Sequence, residues 1–63
     1  MKNNFLIIGV GGIGFRHFQS LNKLKNINLH LVDPKIKFIK RYKIKKKINQ
    51  KNSYYYYKSI QSI

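Results

Sequence analysis

Gly9, Gly11 and Gly14 stand in a G-x-G-x-x-G spacing, with Gly12 and Ile13 inside it. Phe5, Leu6, Ile7 and Ile8 come directly before, and Asp33 follows nineteen residues after the last glycine. This spacing suits a diphosphate. A pyrophosphate needs unobstructed donors, and the opening turn of a helix offers free N–H groups and a positive partial charge. Gly9 permits a tight turn out of a strand, Gly11 lets the backbone approach the phosphates, and Gly14 lets the helix pack closely on the sheet. Gly12 adds freedom that the pattern does not require, and Ile13 lies in the same turn. Asp33, at the end of a second apolar stretch, is placed to accept hydrogen bonds from both hydroxyls of a ribose. Its carboxylate repels a 2′-phosphate, which favours NAD over NADP. Lys35 and Lys37 follow at once and could neutralise that phosphate, so NADP stays open as the alternative cofactor. Asp33 can also cap a helix starting near Pro34, and the two roles are compatible.

These residues need a strand, a helix and a second strand to hold them. Residues 4–10 are almost continuously apolar, as expected of a strand covered on both faces. A helix opening at Gly11 or Gly12 runs to about residue 25, with Ile13, Phe15, Phe18, Leu21 and Leu24 at near-helical spacing for a packed face. Lys23 and Lys25 fall in its last turn, where cations suit the helix dipole, and Asn26 suits the cap and turn. Residues 28–32 form the second strand. Asp33-Pro34 ends it, because proline lacks an N–H and can occupy the first turn of a helix. The connection between the parallel strands should be right-handed.

Beyond Pro34, Ile36, Ile39, Tyr42, Ile44 and Ile48 line a ragged helical face, while Ile36, Phe38, Tyr42, Ile44 and Ile48 also fit an alternating strand pattern. A helix over 35–47 is favoured because a βαβ unit calls for one, although it has no acidic partners at i,i+4. Residues 49–53 read as a loop and 54–57 as a third strand. Ser59 could cap a closing helical turn. The expectation is an α/β fold: an incomplete Rossmann-type βαβ(αβ) unit with a parallel sheet of two to three strands. Residues 1–34 form the dinucleotide-binding core, and 35–63 a Lys- and Tyr-rich continuation of the same incomplete domain.

Size and charge limit what this unit can do. A domain of 63 residues buries only about 60% of its unfolded surface and is marginal alone. Without cysteine it has no disulfide or thiolate metal site, which fits a reducing compartment. The apolar run before the glycines is too short for a membrane span and has no secretory pattern, so a cytoplasmic location is expected. The chain reads as the front of a larger domain, needing a partner chain or a further C-terminal part to fold. Its net charge is +13, with ten of the fourteen Lys and Arg residues and no acid in 35–63. Lys, Ile, Asn and Tyr share A/T-rich codons, so base composition is one source of this charge. A second is a small nucleic-acid or polyanion binder, with lysines for phosphates and Tyr54 to Tyr57 for bases. Charge of this size predicts nonspecific adhesion, and a specific nucleic-acid function is the lesser reading. His17 and His30 read as packing or surface residues without metal-ligand spacing. No catalytic or metal-binding residue is assigned.

Residues 5–17, FLIIGVGGIGFRH, resemble the opening of the Gfo/Idh/MocA oxidoreductases, the glucose-fructose oxidoreductase and inositol dehydrogenase-like enzymes. Many members share a G-x-G-x-I-G turn, then a basic residue and a histidine, then leucines along the helix. Val32-Asp33-Pro34 is also similar to that family, and Tyr57-Lys58-Ser59-Ile60 resembles the stretch after its third strand. The resemblance covers residues 4–34 well and the remainder poorly. It implies an NAD(P)-binding Rossmann domain followed by an α/β substrate domain, moving a hydride between nicotinamide and a sugar, cyclitol or related substrate. Gly9, Gly11, Gly14 and Asp33 match the family's cofactor positions. Its Glu-Lys-Pro segment is absent, and the chain contains no glutamate. Hydride transfer by this chain alone is therefore not expected. A regulatory NAD-sensing unit fits the same residues, while a flavoprotein's adenine-nucleotide site would usually carry Glu in place of Asp33.

Overall fold

The computed structural model describes residues 3–62; residues 1, 2 and 63, at the outer limits of the two expected segments, lie outside the described residues. The chain runs β1 (Asn3–Ile8), α1 (Ile13–Asn22), β2 (Ile27–Val32), α2 (Ile36–Ile39), a π-turn (Lys40–Ile44), a 3-10 turn (Lys45–Lys47), β3 (Ser53–Tyr57) and a closing 3-10 turn (Ile60–Ser62). The strands form one sheet in the order β1-β2-β3. Both pairings are parallel, from Asn3 opposite Ile27 to Ile8 opposite Val32, and from Asn28 opposite Ser53 to Val32 opposite Tyr57. This is a small α/β fold with the topology of an incomplete Rossmann-type unit.

Strand alternation sorts the sheet into two unlike faces. Phe5, Ile7, Ile27, Leu29, Leu31, Tyr54 and Tyr56 point to one face, where Phe18 of α1 and Ile36, Ile39 and Ile44 of the second helical segment cover them. Phe18, Leu29, Leu31 and Ile44 are fully buried. Both helical segments therefore sit on the same side. The other face carries Asn4, Leu6, Ile8, Asn28, His30, Tyr55 and Tyr57, and Leu6, Ile8 and Tyr55 remain exposed.

Several boundaries differ from the sequence expectation. α1 ends at Asn22, so Lys23 is its cap and Lys25 lies beyond it. Asn26 occupies the connecting turn with φ of 60°, a left-handed conformation asparagine tolerates. Its packed face is Gly14, Phe15, Phe18 and Leu21, whereas Ile13 and Leu24 are exposed. Ile13 begins the helix at its solvent end, and Leu24 follows its last turn. β1 stops at Ile8, although Val10 beyond it is fully buried.

The second helical segment departs furthest from a regular helix. Ile36 and Ile39 face the sheet, and the next inward residue is Ile44, five positions on. An α-helix would turn Lys43 inward. The i→i+5 geometry over Lys40–Ile44 adds one residue to the turn, sending Lys43 outward and Ile44 into the core. Tyr42 and Ile48, expected on the packed face, are exposed.

An asparagine cluster closes the end of the sheet opposite the glycine turn. Asn52 is buried; its Oδ1 accepts from the Ile27 N–H at 3.1 Å, and its Nδ2 donates to the Leu24 carbonyl at 2.9 Å. Asn49 Nδ2 donates to the Asn22 carbonyl at 3.2 Å, and the Asn49 N–H donates to the Tyr54 hydroxyl at 2.8 Å. The Tyr54 hydroxyl in turn donates to Asn22 Oδ1. These bonds satisfy carbonyls that the end of α1 leaves open.

Candidate functional site

The glycine turn lies between the end of β1 and the start of α1, beside the carboxyl end of β2. Gly9 has φ of 78° and Gly12 of 75°, both in the region that favours glycine. The Gly9 N–H donates to the Val32 carbonyl at 2.8 Å, tying the turn to β2. At Gly14 the restriction is steric: an added Cβ would lie 1.8 Å from the Gly9 carbonyl oxygen. Gly12, which the motif did not require, is thus needed by the backbone as it enters the helix.

Gly11 differs from the other three. Its φ is not positive, and an added Cβ would meet only the Ile39 Cδ1, at 4.0 Å. The fold does not require glycine at this position. Gly9, Gly11, Gly12 and Ile13 are all exposed, so the turn opens to solvent, while Gly14 is buried against β1. The start of α1 has no side-chain cap and no acid in its first turn. The side chain that meets this end of the helix comes from elsewhere in the chain: the Asp33 carboxylate, just ahead of the first turn.

Asp33 comes to this turn from 22 and 23 residues away. Its Oδ2 accepts from the Val10 N–H at 3.0 Å and, more loosely, from the Gly11 N–H at 3.4 Å. Its Oδ1 accepts from the Lys35 N–H at 2.8 Å, and the Ile36 N–H donates to its carbonyl at 3.0 Å. The carboxylate both closes the turn leading into the second helical segment, which starts at Ile36 with no side-chain cap of its own, and bridges to the glycine turn. The Asp33 N–H donates to the Tyr57 carbonyl at 3.0 Å, so β3 fixes the backbone that carries the acid. Sequence reading brought Gly9, Gly11, Gly12, Ile13, Gly14 and Asp33 together, and the fold does so too. It missed Val10, whose N–H is the nearer of the turn's two donors to the acid; the only signal was its place between two glycines.

A groove of about 830 Å³ runs from the turn along the outer edge of β1, lined by Leu6, Ile8, Gly9, Ile13, His17 and Leu21 among others. His17 is exposed on α1. His30 lies on the opposite side of the sheet, with Nδ1 3.0 Å from the Tyr57 hydroxyl, Nε2 3.1 Å from Asn4 Oδ1, and its ring stacked on Tyr55 at 4.8 Å. The two histidines do not meet. Among the described residues no group of three metal-ligating side chains exists, and no helix is long and apolar enough to cross a membrane. In comparisons with known proteins, no family model, no curated protein and no solved structure matches this chain.

Proposed function

We propose that the chain binds NAD at the 9–14 turn, as the cofactor-binding unit of an oxidoreductase of the Gfo/Idh/MocA kind. The observation that carries this reading is Gly11, a glycine the fold does not need, at the position where a diphosphate would approach the backbone. The start of α1 supplies N–H donors and a positive partial charge to the phosphates. Asp33 stands beside the same turn, held from two sides by backbone N–H groups, and a ribose diol would donate to the carboxylate lone pairs that these bonds leave. A 2′-phosphate there would meet a fixed negative charge, so NAD binds in preference to NADP. Hydride transfer to a sugar or cyclitol belongs to residues outside this unit, and no residue here is assigned a catalytic role.

Calorimetric titration of the folded chain with NAD, NADP and ADP-ribose tests the reading. NAD and ADP-ribose should bind alike, since the adenine side and diphosphate make the contacts. Gly11→Ala should abolish binding while leaving the unfolding midpoint unchanged. Binding that survives Gly11→Ala, or a folded chain with no affinity for either ligand, overturns it.

A further inference from the structure

A second groove, of about 700 Å³, lies across the outer surface of the irregular helical segment, away from the glycine turn. Lys37, Lys40, Arg41 and Lys45 line it together with Phe38 and Tyr42. The two rings are in contact, with centroids 4.7 Å apart and planes tilted by 44°, yet both side chains remain more than half exposed. Tyr56 of β3 closes one wall, with Lys40 Nζ 4.4 Å from its ring centroid. The only acid in the chain, Asp33, has one carboxylate oxygen on the Val10 N–H of the glycine turn and the other on its near neighbour, the Lys35 N–H, so no side-chain anion balances these cations.

Exposed rings cost solvation unless something covers them, and four cations around them select an anion. A ligand satisfying both carries flat apolar faces and regularly spaced negative charges. Single-stranded nucleic acid has this chemistry: bases stack on aromatic rings while the backbone follows a positive groove. The π-turn contributes to the arrangement. Phe38 and Tyr42 meet as ordinary i,i+4 neighbours, and the extra residue turns Tyr42 and Lys43 outward. The helical pieces are too short to form the long apolar stripe of a membrane-surface helix. From this geometry we infer that the Phe38–Tyr42 groove is a binding site for single-stranded RNA or DNA, with the two rings as the stacking platform and Lys37, Lys40, Arg41 and Lys45 as phosphate contacts. The site shares no residue with the glycine turn and stands whether or not NAD binds there.

Fluorescence anisotropy with a short labelled oligouridylate tests this on the full chain, with hairpin RNA duplex, heparin and phosphatidylserine vesicles as competitors. Four phosphate contacts predict a slope of log affinity against log salt of about −3. Phe38→Leu and Tyr42→Leu, both at exposed positions, should each weaken oligouridylate binding by about tenfold and leave the salt slope unchanged. Changing the four cations to Gln should flatten the slope. Heparin binding should ignore the ring substitutions and follow the cations alone. Equal competition by duplex and heparin, with no effect of either ring substitution, would show simple polycation adhesion and overturn the proposal. Competition by vesicles that depends on Phe38 and Tyr42 would overturn it in favour of a lipid surface. NAD titration of the same variants should be unaffected, which separates this outcome from that at the glycine turn.

Discussion

The glycines of one motif have different physical reasons to be there, and substitution separates them. At Gly14 a methyl group would strike the backbone of Gly9, which cannot rotate away as a side chain could. Gly14→Ala should therefore destabilise the chain by about 3 kcal/mol in urea unfolding, at the upper end for overpacking. Gly11→Ala should change stability by less than about 0.5 kcal/mol, as an unstrained surface substitution does. A large loss of stability in Gly11→Ala would mean that the glycine serves the fold, and would remove the main support for a diphosphate there. Tyr56 gives a residue-scale prediction in pH. Burial, and secondarily the neighbouring Tyr54, pushes its phenol above the usual 10.0. Below about pH 10 both folded and unfolded chains hold that proton, and its contribution is complete. As pH rises further, the unfolded chain releases the proton first, so stability is lost through the folded-state pKa. Tyr56→Phe should decline less steeply than the wild type in unfolding midpoints taken from about pH 8 to about pH 11. The difference between the two curves isolates this phenol from the lysines titrating in the same range.

Among the elements, the irregular ones carry the clearest tests. If the π-turn exists to bury Ile44, Ile44→Ala should cost about 3 kcal/mol and Lys43→Ala under about 1 kcal/mol. A regular helix reverses that ranking. Asn52→Ala should cost about 2 kcal/mol, because it leaves the Ile27 N–H and the Leu24 carbonyl without their partner in a buried place. The three strands and the glycine turn were legible in the sequence. Their signals are local: continuous apolar residues, β-favouring tyrosines, and the steric freedom of glycine between them. Asp33 was legible because its spacing from the turn follows from the length of one helix and one strand. The π-turn was not legible, because a five-residue step between Ile39 and Ile44 belongs to neither the 3.6 nor the 2.0 period. Asn49 and Asn52 do lie in the expected loop, but their closing role there was not legible, because their partners at Asn22, Leu24 and Ile27 are 25 or more residues away. A regular helix would put Tyr42 on the packed face. The inserted residue is what moves it to the surface.

At the level of the whole molecule, charge opposes compactness. The radius of gyration is 10.6 Å, matching the roughly 11 Å of a folded chain this long. Thirteen net positive charges are held within that volume, and the single carboxylate hydrogen-bonds to backbone N–H groups. In a protein with balanced charge, salt weakens attractive and repulsive pairs together. Here repulsion is nearly all there is to screen, since the Debye length falls from about 30 Å at 0.01 M to about 3 Å at 1 M. The thermal midpoint should therefore rise with sodium chloride, by about 5 °C for each ~1 kcal/mol of repulsion removed. Self-association would imitate this rise. β1 is an edge strand with Leu6 and Ile8 exposed, and screening also brings two cationic chains together. The two causes differ in their dependence on protein concentration, because association raises the midpoint by mass action and intramolecular screening does not. Ile8→Lys places a charge on the open edge and should suppress association while leaving the core intact. If the rise with salt persists in Ile8→Lys and on dilution, self-repulsion limits the stability of this fold. If it vanishes in both, the open sheet edge is the dominant feature, and the chain gains its stability by covering that edge.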